Sequence, residues 1–305
     1  MEFLYILERI RCPFLNKLML AVTTLGEETA FLVIGLIMFW CVSKRRGYYL
    51  MSVGFFGTII SQAMKIACRI PRPWVKDANF TILEEAREAA SGYSFPSGHT
   101  QTAVGTLGAA ARTADSTAVR WICIVLAVLV GFSRMYIGVH TPADVLAGAA
   151  ISAGLIFILH PLMLGKKDHT FPVLACLAVI SAGYLVIMEC VRFPADIDAQ
   201  NLASAMKNAY TLTGCAVGLV IVYPLEKKYV NFDESALWWV QLLKIVLGLV
   251  LVLAVKEGLR APLEWIFNGH LAARAVRYFL IVVVAGLLWP MSFRYFTKLC
   301  GSTNK

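Results

Sequence analysis

Long apolar segments alternate with short polar ones along the whole chain. A helix that crosses the roughly 30 Å hydrocarbon core of a bilayer needs about 20 mainly apolar residues. Segments that meet this requirement recur from end to end, so the pattern predicts an all-α fold, a polytopic transmembrane helix bundle. The predicted spans are 22–42, 49–68, 97–114, 119–138, 143–164, 171–191, 202–223, 236–256 and 271–291.

The third predicted span, 97–114, differs from the others in composition. It is rich in small residues, including Gly105, Gly108, Ala109 and Ala110. Small residues let helices approach one another closely inside a membrane. We therefore expect this helix to lie in the interior of the bundle and not against lipid.

The composition agrees with a membrane protein. Of 305 residues, 59% are hydrophobic and 15% charged, against roughly 45–50% and about 25% in soluble domains. These values exclude a disordered chain, a coiled coil and a soluble nucleic-acid binder, so no nucleic-acid partner is expected. The eight cysteines include no CxxC pair, which predicts buried free thiols and no zinc site.

Basic residues follow alternate spans and therefore fall on one side of the membrane, which the positive-inside rule makes cytoplasmic. The loops 69–96, 134–142, 192–201 and 257–270 then face outward. Short loops and tails favour a bacterial cytoplasmic membrane. The basic positions are 44–46, Arg112 with Arg120, 166–167, 227–228, and Arg294, Lys298 and Lys305 in the tail.

The chain divides into three predicted parts. Residues 1–20 mix charged and apolar side chains, which predicts an interfacial amphipathic helix; a cytoplasmic N-terminal extension is the alternative. Residues 21–191 hold the unusual polar residues and form the predicted catalytic transmembrane domain. Residues 192–305 are predicted to be plain C-terminal transmembrane helices of unknown role.

Three polar clusters lie where a membrane bundle does not ordinarily tolerate them. They occupy 65–73, 95–99 and 133–144, at span ends that the predicted topology places on the outward face. Each has an ordinary explanation when taken alone, such as a snorkelling cation or a helix-capping box with Pro at the first position. Charged groups converging at one membrane depth are costly unless they perform chemistry, so together they predict a functional site.

The cations of these clusters suit a phosphate dianion. Lys65, Arg72 and Arg134 supply the positive charge, and guanidinium groups bind phosphate oxygens in pairs. Ser97 and Gly98 open a helix, whose N–H groups and dipole favour an anion. Gly98 also lets the backbone approach a ligand that a Cβ would obstruct.

The remaining groups suit nucleophilic catalysis. His140 and Asp144 lie four residues apart across a helix start, so the carboxylate can hold one imidazole nitrogen and leave the other as a neutral nucleophile. His99 can protonate a leaving alkoxide. No Asp/Glu/His cage for a metal is visible in the sequence, so we infer metal-free phosphoryl transfer without a cofactor, with charge stabilised by the cations.

These residues carry a family resemblance, as Lys65-x₆-Arg72-Pro73, Pro96-Ser97-Gly98-His99 and Ser133-Arg134-x₃-Gly138-x-His140-x₃-Asp144. The chain resembles the PAP2 (type 2 phosphatidic acid phosphatase) superfamily over roughly residues 20–165. The resemblance implies a metal-independent phosphatase whose site opens at the membrane surface. By it, His140 would become the phosphohistidine, Asp144 would orient it and His99 would be the general acid. The phosphate would be held by Lys65, Arg72, Ser97, Gly98 and Arg134.

Within the superfamily, Leu25-Gly26-Glu27-Glu28 followed by Phe39-Trp40 is similar to the branch of dolichyl-diphosphatase and sphingosine-phosphate phosphatases. The implied fold is a six-helix core with about three additional C-terminal helices. Those helices serve either packing, including a homodimer contact, or a groove for a long lipid tail.

The expected function is hydrolysis of a phosphate monoester or diphosphate of a lipid on the extracytoplasmic side. One alternative is phosphotransfer from a polyprenyl diphosphate to another lipid, and a second is a non-catalytic lipid binder or transporter. The loop 74–94 is predicted to form a short amphipathic lid, or else an ordinary surface helix. Its relevant residues are Trp74, Phe80, Tyr93, Glu84, Glu85, Arg87 and Glu88.

Overall fold

The computed structural model describes residues 1–87, 90 and 92–299, without the side chains of 297–299. No strand occurs among these residues, so the predicted all-α class is confirmed. Glu88 of the predicted lid, Lys305 of the predicted basic tail and the side chain of Lys298 lie outside the described part.

Fifteen α-helices occur in the described residues, with short 3₁₀ and π segments between some of them. The helices are α1 Glu2–Arg9, α2 Pro13–Thr23, α3 Glu28–Ile37, α4 Lys44–Cys68, α5 Pro73–Lys76, α6 Gly98–Thr113, α7 Thr117–Tyr136, α8 Pro142–Leu164, α9 Thr170–Cys190, α10 Ala199–Leu225, α11 Trp238–Gly258, α12 Arg260–Ile266, α13 Ala272–Val283, α14 Trp289–Met291 and α15 Phe293–Leu299. The 3₁₀ segments are Thr24–Gly26 and Glu84–Ala86, and the π segments are Met38–Val42, Glu226–Val230 and Val284–Leu288.

Seven helical segments in the described chain are long and apolar enough to cross a membrane, which confirms the polytopic bundle. An eighth candidate span is the pair Pro13–Gly26 and Glu28–Val42, which meets at 56°. The first predicted span therefore starts earlier than residue 22 and is bent. The seven segments are Lys44–Lys76, Thr117–Tyr136, Pro142–Leu164, Thr170–Cys190, Ala199–Val230, Trp238–Ile266 and Ala272–Phe296.

The short helix α6 lies in the interior, as its small residues predicted. It has 16 residues, and Ala103, Leu107 and Ala109 are buried. Polar side chains fasten it to α8: Ser152 Oγ donates to Gln101 O at 2.6 Å, and Gln101 Nε2 lies 3.4 Å from Ser152 Oγ. These buried bonds fix α6 against α8.

The chain forms two compact units. The first comprises Met1–Leu32, Leu50–Pro161 and Val191–Ala205, and the second comprises Val33–Tyr49, Leu162–Cys190 and Met206–Lys305. All the predicted site residues belong to the first unit. The predicted division of the sequence at residue 192 stays a prediction.

The N-terminal segment forms two helices where one was predicted over 1–20. Helix α1 ends at Arg9, and α2 begins with Pro13 at its first position, where a missing N–H has no cost. Leu4 and Leu7 of α1 are buried against Phe80 and Ile82. The interfacial placement of this segment stays a prediction.

Of the two alternatives for the loop 74–94, the ordinary surface helix is wrong for the described residues, which hold the end of α5, the 3₁₀ turn Glu84–Ala86 and Ala90 in 3₁₀ conformation; the lid stays a prediction. The backbone of this loop bonds to other segments: Leu83 N–H donates to Ile137 O at 3.1 Å, and Ser94 N–H donates to Ile70 O at 2.7 Å. These donors are not available to a continuous helix. The loop is thereby tied to both sides of the predicted site.

The second unit contains buried charged side chains, although the sequence predicted plain transmembrane helices there. Lys244 on α11 is buried, donates to Asp233 O at 3.3 Å and lies 4.7 Å from the centre of the Phe293 ring. Lys44 and the buried Glu226 form an ion pair at 3.1 Å. Both lysines thus have local partners, which makes their role structural.

The cysteines also depart from expectation. All those described are free thiols, but Cys12, Cys68, Cys176 and Cys190 are exposed at the protein surface, and only Cys215 of the described set is buried. Cys68, Cys176 and Cys190 lie on helices of the candidate spans, where an exposed thiol replaces the buried one that the apolar pattern predicted.

Candidate active site

Helix ends and two short loops bring the predicted site residues together in the first unit. Lys65 lies in the last turn of α4, Arg134 in the last turn of α7, and Asp144 in the first turn of α8. Arg72 and His140 lie in the connecting loops. The three residues 97–99 begin α6.

His140 is buried and its two ring nitrogens have different neighbours. Nε2 lies 2.9 Å from Nη1 of Arg72. A guanidinium group can only donate, so Nε2 is the acceptor and the proton of a neutral ring is assigned to Nδ1. The nitrogen that faces the cations is therefore the one with a lone pair.

Ser94 lies between His140 and Asp144 and was missed by the sequence reasoning. Its Oγ donates to Asp144 Oδ2 at 2.6 Å and lies 3.4 Å from His140 Nδ1. The direct distance from Nδ1 to Asp144 Oδ2 is 3.7 Å, which is beyond a hydrogen bond. A serine outside the charged clusters carries no spacing signal, so only the folded loop reveals this bridge.

Asp144 also caps the helix on which it lies. Its Oδ2 accepts from the Thr141 N–H at 2.7 Å, and Thr141 Oγ1 accepts from the Asp144 N–H at 3.3 Å. This reciprocal arrangement is a capping box, with Pro142 at the first helical position. The single carboxylate of Asp144 therefore fits both explanations of this cluster, the ordinary helix-capping box and the functional site beside His140.

A tight turn after α7 fixes His140 beside Arg134. Gly138 has φ +93°, and the N–H groups of Val139 and His140 donate to Arg134 O at 3.1 and 3.3 Å. A residue with a Cβ rarely adopts this φ. The signature glycine therefore returns the chain towards the last turn of α7.

The three predicted cations are buried. Lys65 Nζ donates to Tyr93 O at 2.8 Å, and Arg72 Nη1 also donates to Val139 O at 2.9 Å. Arg134 Nη1 donates to Thr23 Oγ1 at 2.7 Å, but its buried Nε has no hydrogen-bond partner within the described chain. An orphaned guanidinium donor beside other cations fits a missing anionic ligand.

The start of α6 departs in part from the prediction. The Ser97 N–H, expected to face an anion, donates to Asp144 O at 3.0 Å, and the Ser97 hydroxyl caps the helix by accepting from the Thr100 N–H at 3.4 Å. A Cβ added to Gly98 would meet no described atom within 4 Å. The space above Gly98 is therefore open to a ligand, and His99 follows it as a part-exposed side chain.

The surroundings keep the His140 imidazole neutral. Burial lowers the pKa of His140 well below its ordinary value, and the charges of Arg72, Arg134, Lys65 and His99 lower it further. A neutral imidazole is the form that acts as a nucleophile.

A cavity of about 470 Å³ adjoins Arg72. It is lined by Pro71, Arg72, Trp74, Val75, Arg87, Ala90, Gly92, Tyr93, Asp198 and Gln200. Among the described residues, no cluster of three or more His, Cys, Asp or Glu side chains suits a metal ion. The site therefore offers cations and a nucleophile beside a volume of ligand size.

Two family models match the chain. The PAP2 superfamily model matches residues 45–168, and the model described as "PAP2 superfamily phosphatase, transmembrane extension" matches 210–302. No solved structure matches the chain.

Curated relatives agree with the family models. An undecaprenyl-diphosphatase of Sulfolobus acidocaldarius is 31% identical over 146 residues, or 47% of this chain and 68% of the relative. Phosphatidylglycerophosphatase B of Bacillus subtilis is 31% identical over 162 residues, covering 49% and 75% of the two chains. The undecaprenyl-diphosphatase BcrC of Bacillus subtilis is 31% identical over 117 residues, covering 38% and 58%. The chain therefore belongs to the PAP2 superfamily of membrane phosphatases.

Proposed function

We propose that this protein is a metal-independent lipid phosphatase that hydrolyses a phosphate monoester or diphosphate of a lipid through a phosphohistidine on His140. One observation carries the proposal: the accepting Nε2 of His140 faces Arg72 at 2.9 Å, while its Nδ1 faces Ser94 and Asp144. That polarity leaves a lone pair directed at an anion-binding cluster. The names of the relatives support lipid phosphates and polyprenyl diphosphates as the substrate class.

The first chemical step forms a P–N bond. Nε2 of His140 attacks phosphorus, the bond from phosphorus to the lipid oxygen breaks, and that oxygen takes the electron pair and a proton from His99. Before this attack, Arg72 Nη1 exchanges its contact with Nε2 for a phosphoryl oxygen, which frees the lone pair of Nε2. Ser94 and Asp144 stabilise the positive charge that develops on the imidazole ring.

The second step regenerates the enzyme. Water gives a proton to the now neutral His99 and attacks phosphorus, the P–N bond breaks, and inorganic phosphate leaves. Lys65, Arg72 and Arg134 stabilise the charge on the equatorial oxygens in both steps. This is the role that a divalent metal has in many phosphoryl-transfer enzymes, and here fixed cations take it.

The test is phosphate release by purified protein in EDTA from phosphatidate, sphingosine phosphate, phosphatidylglycerol phosphate and undecaprenyl diphosphate. We expect His140→Ala to abolish turnover, because it removes the nucleophile, and Asp144→Asn to leave a small residual rate. His169→Ala, at an exposed histidine between α8 and α9, is the matched control.

The outcomes separate the alternatives. An acid-labile, labelled phosphoenzyme is expected in wild type and not in His140→Ala. Label that moves to a second lipid and not to water would identify a phosphotransferase. Near-wild-type rates in both His140→Ala and Asp144→Asn would contradict the assigned roles, and loss of all activity in EDTA with recovery on adding Mg²⁺ would contradict metal independence.

A further inference from the structure

Beyond the proposed phosphatase function, and resting on it, we propose that the cavity beside Arg72 is a binding site for the second phosphate of a lipid diphosphate, with Arg87 as its specificity-determining residue. Arg72 belongs both to the catalytic cluster, through His140, and to the wall of this cavity. Arg72 therefore links the wall of the cavity to His140.

The cavity is lined by a second guanidinium group, which contacts the same indole as the first. The carbon Cζ of Arg72 and that of Arg87 each lie 5.8 Å from the centre of the Trp74 ring. Both cations are thus positioned by one indole, at the range of a cation–π contact. A monophosphate bound at His140 already meets Lys65, Arg72 and Arg134, so a further cation along the cavity is suited to a further phosphate.

Arg87 has donors to spare for such a ligand. Its Nε and Nη2 bond to Glu84 Oε2 and Oε1 at 2.6 and 2.7 Å, and Nη1 takes part in neither bond. The side chains of Arg87 and Glu84 are 48% and 70% exposed, so this pair is weak and exchangeable. Glu84 thereby orients the Arg87 guanidinium group. Because this ion pair is exposed to solvent, the carboxylate does not cancel the positive charge that Arg87 presents to the cavity.

The rim of the cavity indicates the direction of the lipid. Val75 is 65% exposed and lines the cavity beside Trp74. Asp198 also lines the cavity, and its carboxylate caps α10, where Oδ1 accepts from the Asn201 N–H at 2.7 Å. The order from inside to outside is then nucleophile, two phosphates, and an apolar tail that leaves past Trp74 and Val75.

This placement assigns the leaving group. His140 attacks the terminal phosphorus, the bond from it to the bridging oxygen breaks, and that oxygen keeps the electron pair, takes the proton of His99 and becomes a terminal oxygen of a lipid monophosphate. Arg87 stabilises the charge that forms there. The contact strengthens as the bond breaks, so it accelerates diphosphate cleavage specifically.

The test compares two lipids with the same tail, farnesyl diphosphate and farnesyl monophosphate, by phosphate release from the full-length protein in detergent. Arg87→Gln is expected to lower kcat/KM for the diphosphate about tenfold or more and for the monophosphate less than about twofold, the loss typical of one charged hydrogen bond. Arg87→Lys should restore part of the preference, since it restores the charge. Lys76→Gln removes an equally exposed cation that does not line the cavity, and it should leave the ratio unchanged.

A second variant is expected to have the opposite effect on the diphosphate preference, and it therefore separates loss of the subsite from a general loss of folding. Glu84→Gln releases Arg87 from its carboxylate and should maintain or raise the diphosphate preference. An equal fall on both lipids with Arg87→Gln, or no fall, would overturn the subsite. Wild-type protein that cleaves only the monophosphate would also overturn it and leave the phosphatase proposal intact, whereas failure on both lipids and on the wider panel would count against the phosphatase itself.

Discussion

At the scale of single residues, the site depends on side chains that serve two purposes. Asp144 caps α8 and accepts from Ser94 beside His140, and Arg72 contacts His140 and lines the neighbouring cavity. Ser133 of the signature is different, because its hydroxyl only bonds to Val130 O at 2.7 Å. A residue of the signature motif therefore need not take part in the reaction.

Ser94 gives a prediction at this scale. Its hydroxyl donates to Asp144 and thereby turns its own lone pair towards His140 Nδ1. Ser94→Ala is expected to lower kcat by about 10- to 100-fold with KM nearly constant, the loss of one to two charge-assisted hydrogen bonds. Steady-state kinetics with a pH profile checks this, since a mispositioned imidazole also shifts the acid limb.

Two further variants serve as controls for Ser94→Ala. Ser94→Thr keeps the hydroxyl and should recover most of the rate. Ser133→Ala removes an equally buried hydroxyl that touches no site residue, so its kcat should stay within about threefold of wild type. A kcat for Ser94→Ala like that of Ser133→Ala would rule out the bridge.

At the scale of elements, helix ends build the site and close packing holds them in register. Helix α8 carries Asp144 and passes close to the start of α6, where the Ser97 N–H donates to Asp144 O. Gly148 allows this approach, since a Cβ there would come within 2.6 Å of Ser97 O. The backbone atom cannot move aside as a flexible side chain can.

Two glycines of α8 therefore make a matched pair. Gly148→Ala is expected to destabilise the protein by about 1–3 kcal/mol, as overpacking does, and to lower kcat by displacing residues 97–99. A Cβ added at Gly154 would meet no described atom within 4 Å, so Gly154→Ala should keep kcat and leave Tm equal or slightly higher. Thermal unfolding in detergent and kcat measure both, and equal effects of the two substitutions would refute the packing argument.

At the scale of the whole molecule, basic residues lie at the start of α7 (Arg120) and just after the end of α8 (166–167), and the site residues Arg134 and Asp144 lie at the other ends of these two helices. The positive-inside rule then predicts that the site faces outward. Intact spheroplasts are expected to cleave added dioctanoyl phosphatidate, whereas inverted vesicles should stay several-fold slower until detergent opens them. Equal turnover by sealed inverted vesicles would place the site on the cytoplasmic side.

The sequence by itself determined the fold class and most of the chemistry, for a physical reason. Span length and apolar content follow from the thickness of the bilayer, so the pattern predicts the helices before any contact is known. Lys65, Arg134 and His140 could likewise be chosen from residue type, because unpaired charge is too costly inside a membrane without a function.

Tertiary structure alone decided the contacts between segments far apart in the sequence. The Ser94 bridge, the use of the Ser97 N–H by Asp144, and the indole shared by Arg72 and Arg87 join loops whose proximity no local pattern encodes. Tertiary contacts also decided the structure of the loop 74–94. Its backbone N–H groups donate to other segments and are therefore not available for the surface helix that was one of its predicted forms. Local periodicity reports which face of an element is buried, whereas the partner of each buried polar group is fixed only when the chain has folded.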